Sequence, residues 1–357
     1  MQKLNVAIIG QGRSGKGIHG VYLRSEANKY FNVRYVVDMD ENSRKVAQQL
    51  YPGCKTFADY HELLSLSDID LVANVSYSYM HYEITKDLLE HNKNVLVDKP
   101  FARNRYECDT LIKLAKERNL LLAVFQQSFY APFYAFILDT IKKGTLGKIE
   151  QFSIKYSGFS RRWDWQTLQK KLGGNAYNTG PHPFGLALGF LGFDKDAKVL
   201  FSRLDHTDMS SGDADDYVKV LLSAPGKPLV DVEINNTDAF SDYNVKIQGT
   251  KGTLKTDIDR YRLKYIVDGE NVARPVVEGT LRNEEGAPIY CGEKLVAHEE
   301  EGKYDGNPFD VGTAKLYEDV YFALTKGRKM FITAENAAQI ISVIEEIHAA
   351  NPLPIKF

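Results

Sequence analysis

The chain has 357 residues, 43% of them hydrophobic and 26% charged, a length of about 2.4 domains of ~150 residues each, which excludes a single small module and wholesale disorder. Lys and Arg total 45 against 47 Asp and Glu, a net charge of −2, so nothing draws the chain globally toward nucleic acid or acidic lipid. Cys54, Cys108 and Cys291 are its 3 cysteines, too few and too dispersed for a disulfide framework or a cysteine-based zinc site. With no secretory h-region and no run of roughly 20 apolar residues, the expectation is a cytoplasmic protein with no metal and no nucleic-acid or membrane partner.

In chain order, the first third alternates short aliphatic runs with helical patterns, the signature of a parallel α/β layer. LNVAII at 4–9 reads as a buried strand, and VRYVVD at 33–38, DLVANV at 70–75, NVLVD at 94–98 and LLLAVF at 120–125 as its neighbours. Helices are expected near 42–50, 80–91, 103–118 and 130–143, a spacing that suits right-handed crossovers.

Beyond about residue 148 the texture becomes β-rich, with strands expected at 149–157, 197–204, 217–223, 229–235, 243–248 and 253–267, and the second part reads as α+β. Asn178-Thr179 before Gly180-Pro181 is expected to cap a helix through 184–191. The stretch 269–308, rich in Gly and containing Glu299-Glu300-Glu301, reads as a solvated loop or a lid. Helical patterns near 310–326 and 335–350 could return to cover the first sheet. The boundary is expected at 126, giving a dinucleotide-binding domain over 1–126 and a substrate-binding and oligomerisation domain over 127–357.

Gly10-Gln11-Gly12-Arg13-Ser14-Gly15 matches G-x-G-x-x-G directly after the first strand. Its glycines permit a tight turn, close phosphate approach and close helix packing, and the following helix start favours a pyrophosphate. The alternative is a glycine-rich structural turn. Asp38 closes the second strand, where a carboxylate can accept hydrogen bonds from an adenosine ribose, so NAD is expected over NADP. Asp40 adds negative charge there, while Arg44 and Arg13 leave room for dual use; alternatively, Asp38 is a turn or cap residue.

Lys99 follows a strand and precedes Pro100, so its amine can project into a cleft or simply occupy a surface turn. In GGNAYNTGPH at 173–182, His182 could accept a hydroxyl proton, its ordinary pKa suiting a general base, although a lone histidine is more often structural. Ser76 and Tyr77 in SYSYMHYE at 76–83 are placed to meet the nicotinamide or its ribose, with His81 at the next helix start. Trp163 and Trp165 could form a sugar platform or anchor a loop.

Together these segments, with GTLGKIEQF at 144–152 and IQGTKGTL at 247–254, resemble the glucose-fructose oxidoreductase and inositol dehydrogenase (Gfo/Idh/MocA) family over nearly the whole chain. The resemblance implies an N-terminal Rossmann domain and a C-terminal α+β domain whose large, open, predominantly antiparallel sheet walls a substrate cleft. It also implies a homo-oligomer, dimer or tetramer. The family's E-K-P becomes Asp98-Lys99-Pro100, with Lys99 on the reacting oxygen and touching both cofactor and substrate. Its D-x-G-x-H becomes Asn178-x-Gly180-x-His182, with His182 as the catalytic base and Asn178 and Tyr177 as substrate contacts.

Asn178 thus replaces an aspartate, and Gly185 stands where members often carry another. The implied activity is NAD-dependent oxidation of a secondary hydroxyl on a small polyol, sugar derivative or cyclitol to a ketone. The alternatives are a closed redox cycle on tightly held NAD, as in a sugar oxidoreductase or NAD-dependent glycosidase, and a noncatalytic dinucleotide sensor or scaffold.

Overall fold

The computed structural model describes residues 2–357. A six-stranded, all-parallel sheet comprises β1 (Leu4–Ile9), β2 (Phe31–Val37), β3 (Lys55–Phe57), β4 (Leu71–Asn74), β5 (Val95–Val97) and β6 (Leu122–Val124), in the order β3-β2-β1-β4-β5-β6. Their crossovers carry a widened helical turn at Gly15–His19 that continues as α1 (Gly20–Arg24), then α2 (Glu41–Leu50), α3 (His81–Glu90) and α4 (Arg105–Glu117). Asp40 caps α2 through the Ser43 amide and Asn104 caps α4 through that of Glu107, each side-chain oxygen satisfying an otherwise unpaired donor. Within this sheet the short edge strand β3 escaped the sequence reading, because three residues carry too little periodicity.

Strand order reverses between β1 and β4, and the crevice beyond their carboxyl ends is where such sheets hold ligands. The chain then forms α5 (Pro132–Lys142), β7 (Ile149–Lys155), α6 (Asn175–Asn178) and α7 (Pro181–Phe190). Seven further strands follow: β8 (Lys198–Asp205), β9 (Tyr217–Ser223), β10 (Leu229–Asn235), β11 (Val245–Gly249), β12 (Gly252–Thr256), β13 (Arg260–Tyr265) and β14 (His298–Lys303). With β7 they make an eight-stranded sheet, antiparallel except where β7 meets β10. Alternation along β9 and β10 buries Val218, Val220, Leu222, Val230 and Val232 on one face and leaves a half-buried mixed face on the other, with Lys219, Asp231 and Glu233 beside Leu221 and Leu229.

Two details depart from expectation. The stretch 253–267 divides into β12 and β13, because Asp257 accepts the amides of Asp259 and Arg260 in a tight turn. The acidic run Glu299-Glu300-Glu301, expected in a loop, lies in β14. Cross-strand bases neutralise it, Lys264 Nζ lying 2.6 Å from Glu299 and Arg262 Nε 3.8 Å from Glu301.

Helix α7 is buried almost all round between the second sheet and α9 (Ala334–Ala350), which explains its lack of a polar stripe. The preceding α8 (Pro308–Lys326) packs Leu316, Tyr317, Val320 and Tyr321 into the cluster formed by Val6, Ile8, Tyr22 and Phe31 of the first sheet and its helix. The last helices do return to the first layer. No helix among the described residues is long and apolar enough to cross a membrane.

Candidate active site

The glycine loop forms a cradle whose requirements can be read atom by atom. Gly10 has φ +97°, and a Cβ there would lie 2.4 Å from the Val75 carbonyl oxygen at the end of β4. A Cβ on Gly15 would lie 2.0 Å from the Gly10 oxygen, so the first and third glycines are required by backbone contact. A Cβ on Gly12 would meet nothing within 4 Å. Gly12 therefore presents an open backbone face beside the helix start, the surface a pyrophosphate needs.

Asp38 and Gln11 hold this loop in place. Asp38 Oδ2 accepts the Gln11 amide at 2.7 Å and Oδ1 accepts that of Asp40 at 2.9 Å. Gln11 is buried with its carboxamide folded onto the Gly10 oxygen at 3.2 Å; it shapes the loop from behind. Arg13 is exposed at the tip, and Arg44 Nη1 donates to the Asp38 and Met39 carbonyls.

From the cradle a chain of bonds leads to the reacting region. Ser14 Oγ donates to Asp98 Oδ2 at 2.6 Å, and Asp98 Oδ1 accepts the Lys99 amide at 2.8 Å. Lys99 Nζ then reaches across the cleft to the Asn178 carbonyl at 2.8 Å. Burial raises the Asp98 pKa, but surrounding positive groups, Lys99 among them, and the Ser14 hydroxyl prevail and hold the carboxyl below its ordinary value. Burial lowers Lys99 most; Asp98 pulls the other way, and Arg162 and Arg13 add to the lowering.

The Lys99-Pro100 peptide is cis. His81 clamps this turn from beneath, its Nδ1 lying 2.7 Å from the Pro100 oxygen and its Nε2 3.1 Å from the Ser76 oxygen. Being 1% exposed, His81 braces the loop and is not placed to touch a dinucleotide. Ser76 Oγ donates to Asn74 at 2.7 Å, leaving Tyr77 as the exposed member of this loop. The Tyr77 ring meets Trp165 edge-on at 5.1 Å, so an aromatic bracket joins the two domains over the cleft.

His182 stands in the first turn of α7. Pro181 occupies the helix start, but no side chain caps it; the expected Asn178 cap is replaced by a bond from Gln166 Nε2 to Asn178 Oδ1 at 2.8 Å. His182 Nδ1 lies 3.0 Å from Ser128 Oγ. Burial, reinforced by the Lys99 charge, pushes its pKa down to about 3, leaving the imidazole neutral at physiological pH.

The Tyr177 hydroxyl donates to the Arg103 carbonyl at 2.6 Å and its ring stacks on His348 at 5.0 Å, so it joins α6 to α9. Trp163 is 77% exposed, whereas Trp165 packs edge-on against Tyr77. At Gly185 a Cβ would lie 3.2 Å from both the Ile340 and the Phe129 side chains, so a side chain there would require those neighbours to shift.

Sequence reading missed Gln127 and Ser128 altogether. They line a cavity of about 230 Å³ that opens beside His182 and runs between Phe133, Tyr156 and Phe309. Their only signal was the polar pair Gln127-Ser128 directly after a buried strand, a position where such sheets present functional groups.

Residues 4–126 match the family described as an oxidoreductase family with an NAD-binding Rossmann fold, and residues 134–255 match the GFO/IDH/MocA C-terminal domain. Among similar proteins, 2,7-anhydro-N-acetylneuraminate hydratase of Mediterraneibacter gnavus is 25% identical over 83% of this chain and 78% of its own. The NADP-dependent scyllo-inositol 2-dehydrogenase IolW of Bacillus subtilis is 22% identical over 96% and 92%. A solved structure of KijD10, a 3-ketoreductase of Actinomadura kijaniata in complex with NADP and TDP-benzene, superposes with a TM-score of 0.78 at 18% identity, covering 98% of each chain. With both halves matched in order along one chain, the protein belongs to the Gfo/Idh/MocA family of NAD(P)-binding oxidoreductases.

Proposed function

We propose that the protein reversibly oxidises a secondary hydroxyl of a sugar, sugar derivative or cyclitol to a ketone, with NAD preferred. The observation that carries this reading is the bonded path Ser14–Asp98–Lys99–Asn178, which ties the glycine cradle to the helix pair bearing His182. A dinucleotide held by the Gly10–Gly15 cradle would supply the two-electron acceptor for the hydride of the carbinol carbon.

The chain's own groups handle the oxygen and its proton. With Nδ1–H donating to Ser128 Oγ, His182 presents the Nε2 lone pair to the substrate hydroxyl and accepts its proton. The Lys99 ammonium donates to the same oxygen and stabilises its developing charge. It also disfavours a lasting imidazolium, so the proton passes promptly to solvent. Asn178 orients a hydroxyl through its carboxamide but cannot accept a proton as a carboxylate would. Trp165 and Tyr77 pack against the sugar's C–H edge.

The cofactor preference rests on the Asp38 carboxylate, which would repel a ribose phosphate, set against the guanidinium groups of Arg44 and Arg13. Assays with NAD and NADP against a carbohydrate and cyclitol panel, following reduced cofactor and ketone together, test both parts. Ketone with equimolar reduced cofactor and a higher kcat/KM for NAD are expected, and Asp38→Ser should move the preference toward NADP. Product formed without reduced cofactor would place the protein in a closed redox cycle instead.

A further inference from the structure

Asp215 lies between β8 and β9, is 3% exposed, and belongs to none of the contacts described above. Its carbonyl accepts the Asn175 amide at 2.8 Å, and its carboxylate Oδ2 accepts that of Ala176, also at 2.8 Å. These are the first two residues of α6, so a single residue takes up two amides that a helix start leaves without partners. The fit is close: Gly174 enters α6 at φ +95°, and a Cβ there would lie 2.3 Å from Asp215 Oδ1.

That Oδ1 also faces His348 near the end of α9, with Nε2 at 3.2 Å, while His348 Nδ1 lies 2.8 Å from the Ile344 carbonyl oxygen. Both ring nitrogens therefore meet acceptors. A neutral imidazole has one N–H to offer, so only the imidazolium satisfies both. Burial alone would lower the His348 pKa, but Asp215 and the Ile344 carbonyl outweigh it and raise it above the ordinary 6.5. The Tyr177 ring covers the imidazole at 5.0 Å, the nearby contact of α9 with β8 is the neutral pair Asn351 and Ser202, and Glu345 turns to the Arg105 amide of α4.

From α6 the bonds lead to the reacting groups. The Asn178 carbonyl accepts Lys99 Nζ, the Asn175 carbonyl accepts the Gly180 amide at 2.8 Å, and the Thr179 carbonyl accepts the His182 amide at 3.1 Å. We propose that Asp215 and His348 form an ion pair that positions α6, and through it Lys99 and His182, for hydride and proton transfer. Both act through α6 and are positioning residues. This rests on the dehydrogenase reading of the His182 cleft and adds the pair that aligns it.

The test uses Asp215→Asn, which keeps an oxygen for the Ala176 amide but loses the charge, His348→Gln, and the double variant. Kinetics use the sugar or cyclitol of the panel above that is turned over fastest, with NADH affinity and melting temperature measured separately. Each single variant should lower kcat about tenfold, below the ~10²-fold cost of misplacing a reacting group by 1 Å. Substrate KM and NADH Kd should stay within about threefold of the wild type. The double variant should be no slower than either single one, as for two groups that act as a unit. The His348 ring, titrated by NMR, should have its midpoint above pH 6.5 in the wild type and lower in Asp215→Asn. Crystal structures of the wild type and Asp215→Asn should show Lys99 Nζ drawn away from the Asn178 oxygen in the variant. If Asp215→Asn does not fold, His348→Gln, altered at a half-buried side chain, decides by kinetics and by the same distance.

Variants that melt earlier but keep their kcat while folded would show a structural brace alone and overturn the proposal, leaving the dehydrogenase reading standing. An unmoved His348 midpoint, or an unchanged distance from Lys99 to Asn178, overturns it in the same way. Absence of turnover by the wild-type protein across the panel overturns the dehydrogenase reading and the positioning role together.

Discussion

On the cofactor side of the cleft the decisive atoms are the missing Cβ atoms of Gly10, Gly12 and Gly15, and the constraint is local to one turn between β1 and its helix. On the substrate side the decisive contacts join distant residues, with Ser128 and His182 separated by 54 positions and Lys99 and Asn178 by 79. The first kind of site is written in consecutive letters. The second exists only once two sheets and their covering helices have packed. Lys99 belongs to both, since its backbone sits on Asp98 at the cradle while its amine crosses to α6.

Removing that crossing is the harshest way to break the comparison. Lys99→Ala should lower kcat/KM by about 10³-fold, the loss expected when one preorganised donor is removed from a developing oxyanion. Dinucleotide affinity and the melting temperature should change little. If the variant keeps its kcat at saturating dinucleotide but binds the dinucleotide much more weakly, Lys99 belongs to the cradle alone and the division drawn above fails.

Within the cradle, the glycines should separate into structural and ligand-facing classes. Gly15→Ala should cost about 3 kcal/mol of stability, because its Cβ meets backbone that cannot yield. Gly12→Ala should melt within about 0.5 kcal/mol of the wild type, as a Cβ in open space would, while raising the dinucleotide Kd roughly tenfold. Unfolding curves and a binding titration on each variant check the pair. A destabilised Gly12→Ala would mean that the open face is not a ligand surface.

The smallest effect concerns His19, which lies behind the cradle, fully buried, with Nδ1 2.8 Å from the Tyr317 hydroxyl and Nε2 without a partner. Burial pushes its pKa down to about 4 from 6.5, against the pull of Asp98. The unfolded chain therefore binds this proton first as pH falls, and stability declines from pH 6.5 toward pH 4. By pH 5 the loss from His19 alone is about 2 kcal/mol. His19→Gln should flatten that part of the denaturation profile, and an unchanged acid slope would show that His19 does not carry it.

Much of the fold was legible because burial has a period. β1 coincides with the expected 4–9, and α2, α3 and α4 begin within two residues of expectation, with Asp40 and Asn104 marking the starts of α2 and α4. β14 was not legible, because His298–Lys303 contains no apolar alternation and becomes a strand only through cross-strand pairing with β13. Tyr177 shows the same limit within the site. It adjoins Asn178 in the motif, yet the turn of α6 directs it to Arg103 and His348, a direction that spacing alone does not reveal.

By itself, the sequence determined that a parallel nucleotide-binding layer precedes a β-rich one, that the turn after β1 must be free of side chains, and that a lysine and a histidine occur in recognisable company. These are local consequences of hydrophobic period and backbone sterics. Only the tertiary structure decided that Ser128 meets His182, that Gly185 packs against Ile340 and Phe129, and that Lys99 reaches the Asn178 carbonyl. Those outcomes depend on which surfaces meet when the two sheets and the last two helices close on one another, and no stretch of consecutive residues carries that information.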